Sequence, residues 1–145
     1  MPFIPEMHTA TYAVDSVANG GTESTWFTNS QKTRIHRMNV ISEAAIAAHS
    51  SAVLKVELIT GSTVIGKVTN DSDEADTTAV TGTPGIDTAL YAAKTARNID
   101  FTQAGANSDG SYENAADAAL EIKTSNDTGG TIADVFISLE YTLSD

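Results

Sequence analysis

Apolar and polar residues alternate along much of this chain with a period of two. The clearest run is Ala133 to Leu143, where Val135, Ile137, Leu139, Tyr141 and Leu143 share one face and Asp134, Phe136, Ser138, Glu140 and Thr142 the other. Successive side chains on a strand point to opposite faces, so this spacing predicts a strand with one face in a core. Burying each large apolar side chain contributes about 1.5–3 kcal/mol. Val53 to Thr60 and Thr63 to Val68 alternate in the same way around Gly61-Ser62, a two-residue hairpin signal. Thr9 to Val17, Glu23 to Thr28, Ala119 to Thr124 and the shorter Thr88 to Ala93 and Asn98 to Gln103 add further strands. Thr33 to Ile41 carries Ile35, Met38, Val40 and Ile41, but its alternation slips near Arg37, which predicts a β-bulge.

Between the strands lie turns and loops. Asn19-Gly20-Gly21 and Ser125 to Gly130 read as tight turns, and residues 69–87 as a long polar, acidic, glycine- and proline-punctuated loop. Ser42 to His49 (SEAAIAAH) is the one helical pattern, barely two turns long, with Ser42 placed to cap it and His49 near its C-terminal end. Residues 1–8, with Pro2 and Pro5 around Phe3 and Ile4, read as an extended arm, because proline fixes φ and removes a donor. Its apolar residues Phe3, Ile4 and Met7 need cover, either from the same subunit or from a neighbour. Eight or nine short strands and one helical turn predict an all-β chain: a single antiparallel β-sandwich or jelly roll over residues 9–145, with one short helix and the arm.

Composition supports the β reading. The chain of 145 residues holds 20 Thr, 21 Ala and 13 Ser, with no cysteine. Without cysteine, disulfides, thiolate catalysis and cysteine-ligated metals are excluded. The net charge of −11 falls on one half. Residues 1–70 balance five acids with five bases, whereas 71–145 set 14 acids against Lys94, Arg97 and Lys123. So acidic a chain repels nucleic acid and anionic membrane surfaces, and no partner of either kind is expected. The N-terminal segment lacks the basic and apolar regions of a signal peptide, so synthesis in the cytoplasm is the expectation.

Motifs for chemistry are sparse, and no cofactor is expected. Asp71-Ser72-Asp73-Glu74-Ala75-Asp76 places oxygen ligands at alternate positions, as Ca²⁺ requires, but has Ala and Asp where an EF-hand loop needs a ligand and Gly. A solvated acidic loop is the other reading. His8, His36 and His49 sit on three separate segments with no partner at metal-ligand spacing. There is no G-x-S-x-G elbow and no phosphate-binding glycine pattern. Lys32-Thr33-Arg34-Ile35-His36-Arg37 is the only basic cluster, either a contact patch for an acidic partner or a strand edge protected by charge. Trp26 and Phe27 are adjacent, so one enters the core and the other faces outward; Phe136 likewise lies on the polar face of its strand.

The last third, Ala119-Leu120-Glu121-Ile122-Lys123, then Asn126-Asp127-Thr128-Gly129-Gly130, then Ala133-Asp134-Val135-Phe136-Ile137-Ser138-Leu139-Glu140-Tyr141, resembles the closing hairpin of small tailed-bacteriophage virion proteins. The similarity is strongest over the last 25 residues and extends in pattern over about the last 95. The resemblance is to capsid decoration (cement) proteins with a jelly-roll-like fold. It implies a non-catalytic role on the outer capsid surface of a virion, with the major capsid protein as partner and a homo-oligomer, a trimer, as the assembly. In that frame the Phe3–Met7 arm packs on or threads between neighbours, and the neutral half, with Arg34 and Arg37, faces the shell. The acidic loops 71–87 and 103–114 face solvent. Phe3, Ile4, Met7, Trp26, Phe27, Arg34 and Arg37 are the candidate interface residues. The alternative from another class is a glycan-binding or host-attachment β-sandwich on a head fibre or tail, with Trp26, Tyr91 and Tyr112 as its aromatic platforms.

Overall fold

The computed structural model describes residues 6–44, 46, 49–71, 111–132 and 134–144, and the backbone of 97–99. The described residues form nine strands, in the order β1 (His8–Val14), β2 (Thr22–Phe27), β3 (Thr33–Ser42), β4 (Val53–Thr60), β5 (Thr63–Thr69), β6 (Arg97–Ile99), β7 (Tyr112–Asn114), β8 (Leu120–Asp127) and β9 (Val135–Leu143). They form two antiparallel sheets. One has the order β1-β9-β3-β6, with β7 also paired to β3; the other has the order β2-β8-β4-β5. β6 and β7 share one side of β3, at Met38–Val40 and Thr33–Ile35 respectively. This arrangement of two facing four-strand orders is that of a jelly roll, with β7 as a short addition.

The two inner faces make one core. Ile35, Met38, Val40, Leu139 and Ile137 meet Leu54, Val56, Leu58, Leu120 and Ile122, all buried. The alternation in β9 and in the β4–β5 hairpin is therefore the pleat itself, with Val135, Ile137 and Leu139 inward and Phe136 outward. The hairpin turns at Gly61, whose φ of 59° lies in the left-handed region where glycine carries no Cβ penalty. The bulge expected near Arg37 is present, as a register shift between Ile35 and Arg37 against β9. It resets the alternation, so Ile35 and Met38 both point inward.

The expected helix at Ser42 to His49 is corrected. Ser42 is the last residue of β3, and its hydroxyl donates to the Ala44 carbonyl at 2.7 Å. The Glu43 N–H donates to the Asp134 carbonyl at 3.0 Å, and His49 forms a β-bridge with Asp71. The His49 N–H, which a helix would have used internally, donates instead to the Asn70 carbonyl at 2.9 Å, and the described residues contain no helix. His8 belongs to β1 rather than to the arm. Phe3, Ile4, Tyr91, the proposed Thr88–Ala93 strand and residues 72–87 and 103–110 of the two acidic loops lie outside the described residues.

Candidate functional site

Each sheet has an outer face, and among the described residues each outer face carries one exposed aromatic. On the β1-β9-β3 face the cross-strand rows are set by register. Ala13, Phe136 and Ile41 form one row; Thr11, Ser138 and Asn39 the next; Thr9, Glu140 and Arg37 the third. Phe136 is 45% exposed although it stands mid-sheet. On the β2-β8-β4-β5 face, Trp26 is paired with Glu121, and the row continues through Ile59 to Val64. Trp26 is 58% exposed on an edge strand. The Ser24 hydroxyl beside it donates to Glu121 Oε1 at 2.6 Å.

The candidate interface residues therefore do not gather on one surface. Phe27 is 3% exposed and lies in the core, where it meets Tyr141 edge-on at 5.0 Å between ring centroids. It offers no surface to a partner, and Trp26 is the outward member of the pair. Met7 is exposed just before β1, while Arg34 and Arg37 lie on the face opposite Trp26.

Nor is the basic cluster a free cationic patch. Lys32 and Arg34 both contact the Glu113 carboxylate of β7, at 3.4 and 3.7 Å, and Arg37 Nε lies 3.3 Å from Glu140 Oε2. Glu113 and Glu140 come from the acidic half of the chain, so these bases of the neutral half meet acids of the other half in space. These contacts are exposed and each contributes about 0–1 kcal/mol. The edge-protection reading fails as well, because β3 is an interior strand flanked by β9 and by β6 and β7.

Each histidine has a structural partner. His8 stacks on Tyr141 at 5.4 Å, and His36 Nε2 lies 2.9 Å from Thr142 Oγ1. His49 Nδ1 accepts from the Ser51 and Ala52 N–H groups at 3.0 and 2.9 Å, closing the turn into β4. No group of three metal-capable side chains occurs among the described residues.

One end of the sandwich carries a fastening that sequence reasoning missed. Asn126 Nδ2 donates to the Val17 and Gly130 carbonyls, both at 2.7 Å, and its Oδ1 accepts from the Thr128 N–H and hydroxyl at 2.9 and 2.7 Å. Its backbone pairs with Gly20 and Gly21, and Asn19 Oδ1 accepts from the Gly129 N–H at 2.8 Å. Gly129 holds φ at 87°, which the turn requires. The two turns read separately from the sequence are thus one hydrogen-bonded unit.

Neither a family model nor a curated protein sequence matches this chain. Among solved structures, it is similar to the structure of infectious bursal disease virus Gx strain, at a TM-score of 0.32 and 12% identity. That match covers 97% of this chain and 38% of the other. It is also similar to the crystal structure of the infectious bursal disease virus VP2 subviral particle, at a TM-score of 0.22 and 15% identity, covering 96% of this chain and 41% of the other. The chain spans about two fifths of the length of these proteins. At such scores the likeness carries no functional argument.

Proposed function

We propose that this protein is a non-catalytic virion structural component, a decoration or cement protein bound to the outer surface of a phage capsid shell. The observation that carries the reading is the placement of Trp26 and Phe136 on opposite outer faces of one sandwich. Large aromatics are the usual anchors of protein interfaces. One flat contact cannot cover two opposed anchors, so a molecule that covers both touches two surfaces at once, which is what a clamp does. The resemblance of the closing hairpin to small phage virion proteins supports the same reading, and so does a two-sheet body fastened by Asn126. The major capsid protein is the partner in this proposal, the oligomer is a trimer, and the protein reaches the shell from the host cytoplasm.

The test is co-sedimentation with emptied tailed-phage heads, together with the melting temperature of those heads. Binding, with a rise in head melting temperature, is expected. Trp26→Ser should weaken that binding about tenfold or more while leaving the fold intact. A protein that stays in the supernatant and leaves head stability unchanged overturns the proposal.

Trp26 also favours a second reading. An open indole beside the Ser24–Glu121 pair is a stacking platform with a carboxylate next to it, the chemistry of a glycan-binding module. Tyr112, its other described candidate platform, lies half-buried on β7, on the opposite sheet. A glycan array on which wild type binds and Trp26→Ser does not would favour this reading over the shell.

A further inference from the structure

The edge of a sheet leaves a row of backbone N–H and C=O groups without a partner, and folded proteins guard such edges with charge, proline, a bulge or short length. Most edges among the described residues are guarded in this way. β6 and β7 are three residues long. β5 carries Lys67 and pairs with β4 through a register shift between Leu58 and Ile59. β2 carries Glu23. β1, at the edge of the β1-β9-β3-β6 sheet, has none of these devices. Its seven residues include no lysine, arginine, carboxylate or proline, and its register against β9 runs without a shift.

β1 also borders a hollow. A groove of about 600 Å³ lies between the edge strands of the two sheets, lined by residues 11–16 on one side and by 23–25 of β2 on the other. Ala10, Tyr12 and Val14 pack from β1 against the core but are only partly buried. A strand laid along β1 satisfies the open edge and covers these side chains with its own inward residues. Charge selects what that strand can be. Asp15 and Glu23 are exposed, and the described lining of the groove contains no base. A second copy of this chain brings another Asp15 and Glu23, and a second net charge of −11, to the same place. A basic segment meets attraction where a second copy meets repulsion.

We infer that the β1 edge takes an extended segment of a partner protein, bearing lysine or arginine, as an added strand. Main-chain hydrogen bonds supply the grip, and alternate side chains supply the selectivity. Every second residue of the segment points inward, toward Tyr12 and Val14, and is apolar. The residues between them continue the outer face beside Thr9 and Thr11 and are polar. In the proposed function the partner is a shell subunit, so the partner's identity rests on that reading, whereas the edge itself does not.

The probe is a synthetic peptide of sequence KTVTVTK, labelled for fluorescence anisotropy and titrated with the full chain. Saturable binding with a Kd tighter than about 1 mM is expected. Hydrogen exchange should slow at alternate amides of β1 and stay unchanged in β5. The peptide ETVTVTE should bind about tenfold more weakly, because its ends repel Asp15 and Glu23. KTVTVTK with its backbone amides N-methylated keeps the charge but loses the donors, and should also bind about tenfold more weakly. The double variant Asp15→Asn, Glu23→Gln should erase the preference for lysine ends. Both residues are exposed, so that variant should melt with the wild type. No saturable binding of KTVTVTK, equal binding of the N-methylated or glutamate-ended peptide, a lysine preference that survives the double variant, or protection away from β1 would each overturn the inference. A chain that sediments with phage heads but ignores the peptide sinks this inference and leaves the proposed function standing. A chain that binds the peptide but not the heads does the reverse.

Discussion

Trp26 and Phe136, the two exposed aromatics among the described residues, belong to the same chemical class but stand in opposite settings. Phe136 is on β9, flanked by β1 and β3, with Ala13 and Ile41 beside it, so it is the floor of a recess. Trp26 is on the edge strand β2, with Glu121 as its one cross-strand neighbour among the described residues, so it projects from a rim. A recess accepts a side chain from a partner, whereas a projecting ring enters one. Exposure alone does not separate these roles; position within the sheet does.

The sharpest way to break this comparison is to test Trp26 against its own neighbour. Phe27→Ala removes a ring that is 3% exposed and should cost about 3–5 kcal/mol in denaturant unfolding. Trp26→Ala should stay within about 0.5 kcal/mol of wild type, as surface changes usually do. Equal costs would mean that Trp26 is structural and no anchor. The comparison also assumes that both faces belong to one stiff body. Asn126→Ala strips the hydrogen bonds from the Val17 and Gly130 carbonyls and should cost about 2–4 kcal/mol, read by the same method. A change below about 0.5 kcal/mol would show that the fastening does not hold the sheets together.

The smallest effect concerns Tyr12, which lies along the recess. Burial, and secondarily repulsion from Tyr141, pushes its phenol above the ordinary value of 10.0. The unfolded chain therefore releases this proton first as pH rises. The Tyr12 contribution is full below about pH 10 and is lost as pH climbs through the raised native value. Tyr12→Phe should flatten the alkaline loss of stability; an unchanged alkaline limb would remove Tyr12 from the account.

Much of this architecture is legible in the sequence where one strand face is buried. Ile137 and Leu139, or Leu54 and Val56, announce themselves because the pleat forces period two. The slip at Arg37 is legible for the same reason, since one extra residue breaks that period. Residues whose role depends on a distant partner are not legible. The pairing of Arg34 with Glu113 is hidden because Glu113 is remote in sequence, and β7 is only three residues long, too short to alternate. Ser42 to His49 looked helical because alanine has high helix propensity, yet Glu43 pairs with Asp134. Asn126 resembled any turn asparagine until the Val17 carbonyl came within reach of its amide. For the interface residues, pairing by adjacency placed Trp26 and Phe27 correctly on opposite faces, but gave no hint that Arg37 and Trp26 would lie on opposite sheets.

The partner of β1 is β9, with His8 opposite Tyr141 and Val14 opposite Val135. The strand made early on the ribosome thus waits for one made more than a hundred residues later. Loop closure over that separation is slow, and folds built on such distant pairings take milliseconds to seconds rather than microseconds. Until β9 emerges, β1 has no sheet to join, β3 lacks one neighbour, and Phe136 has no row to complete. The recess is therefore one of the last features to exist. A nascent chain presents no such recess until its synthesis has passed β9.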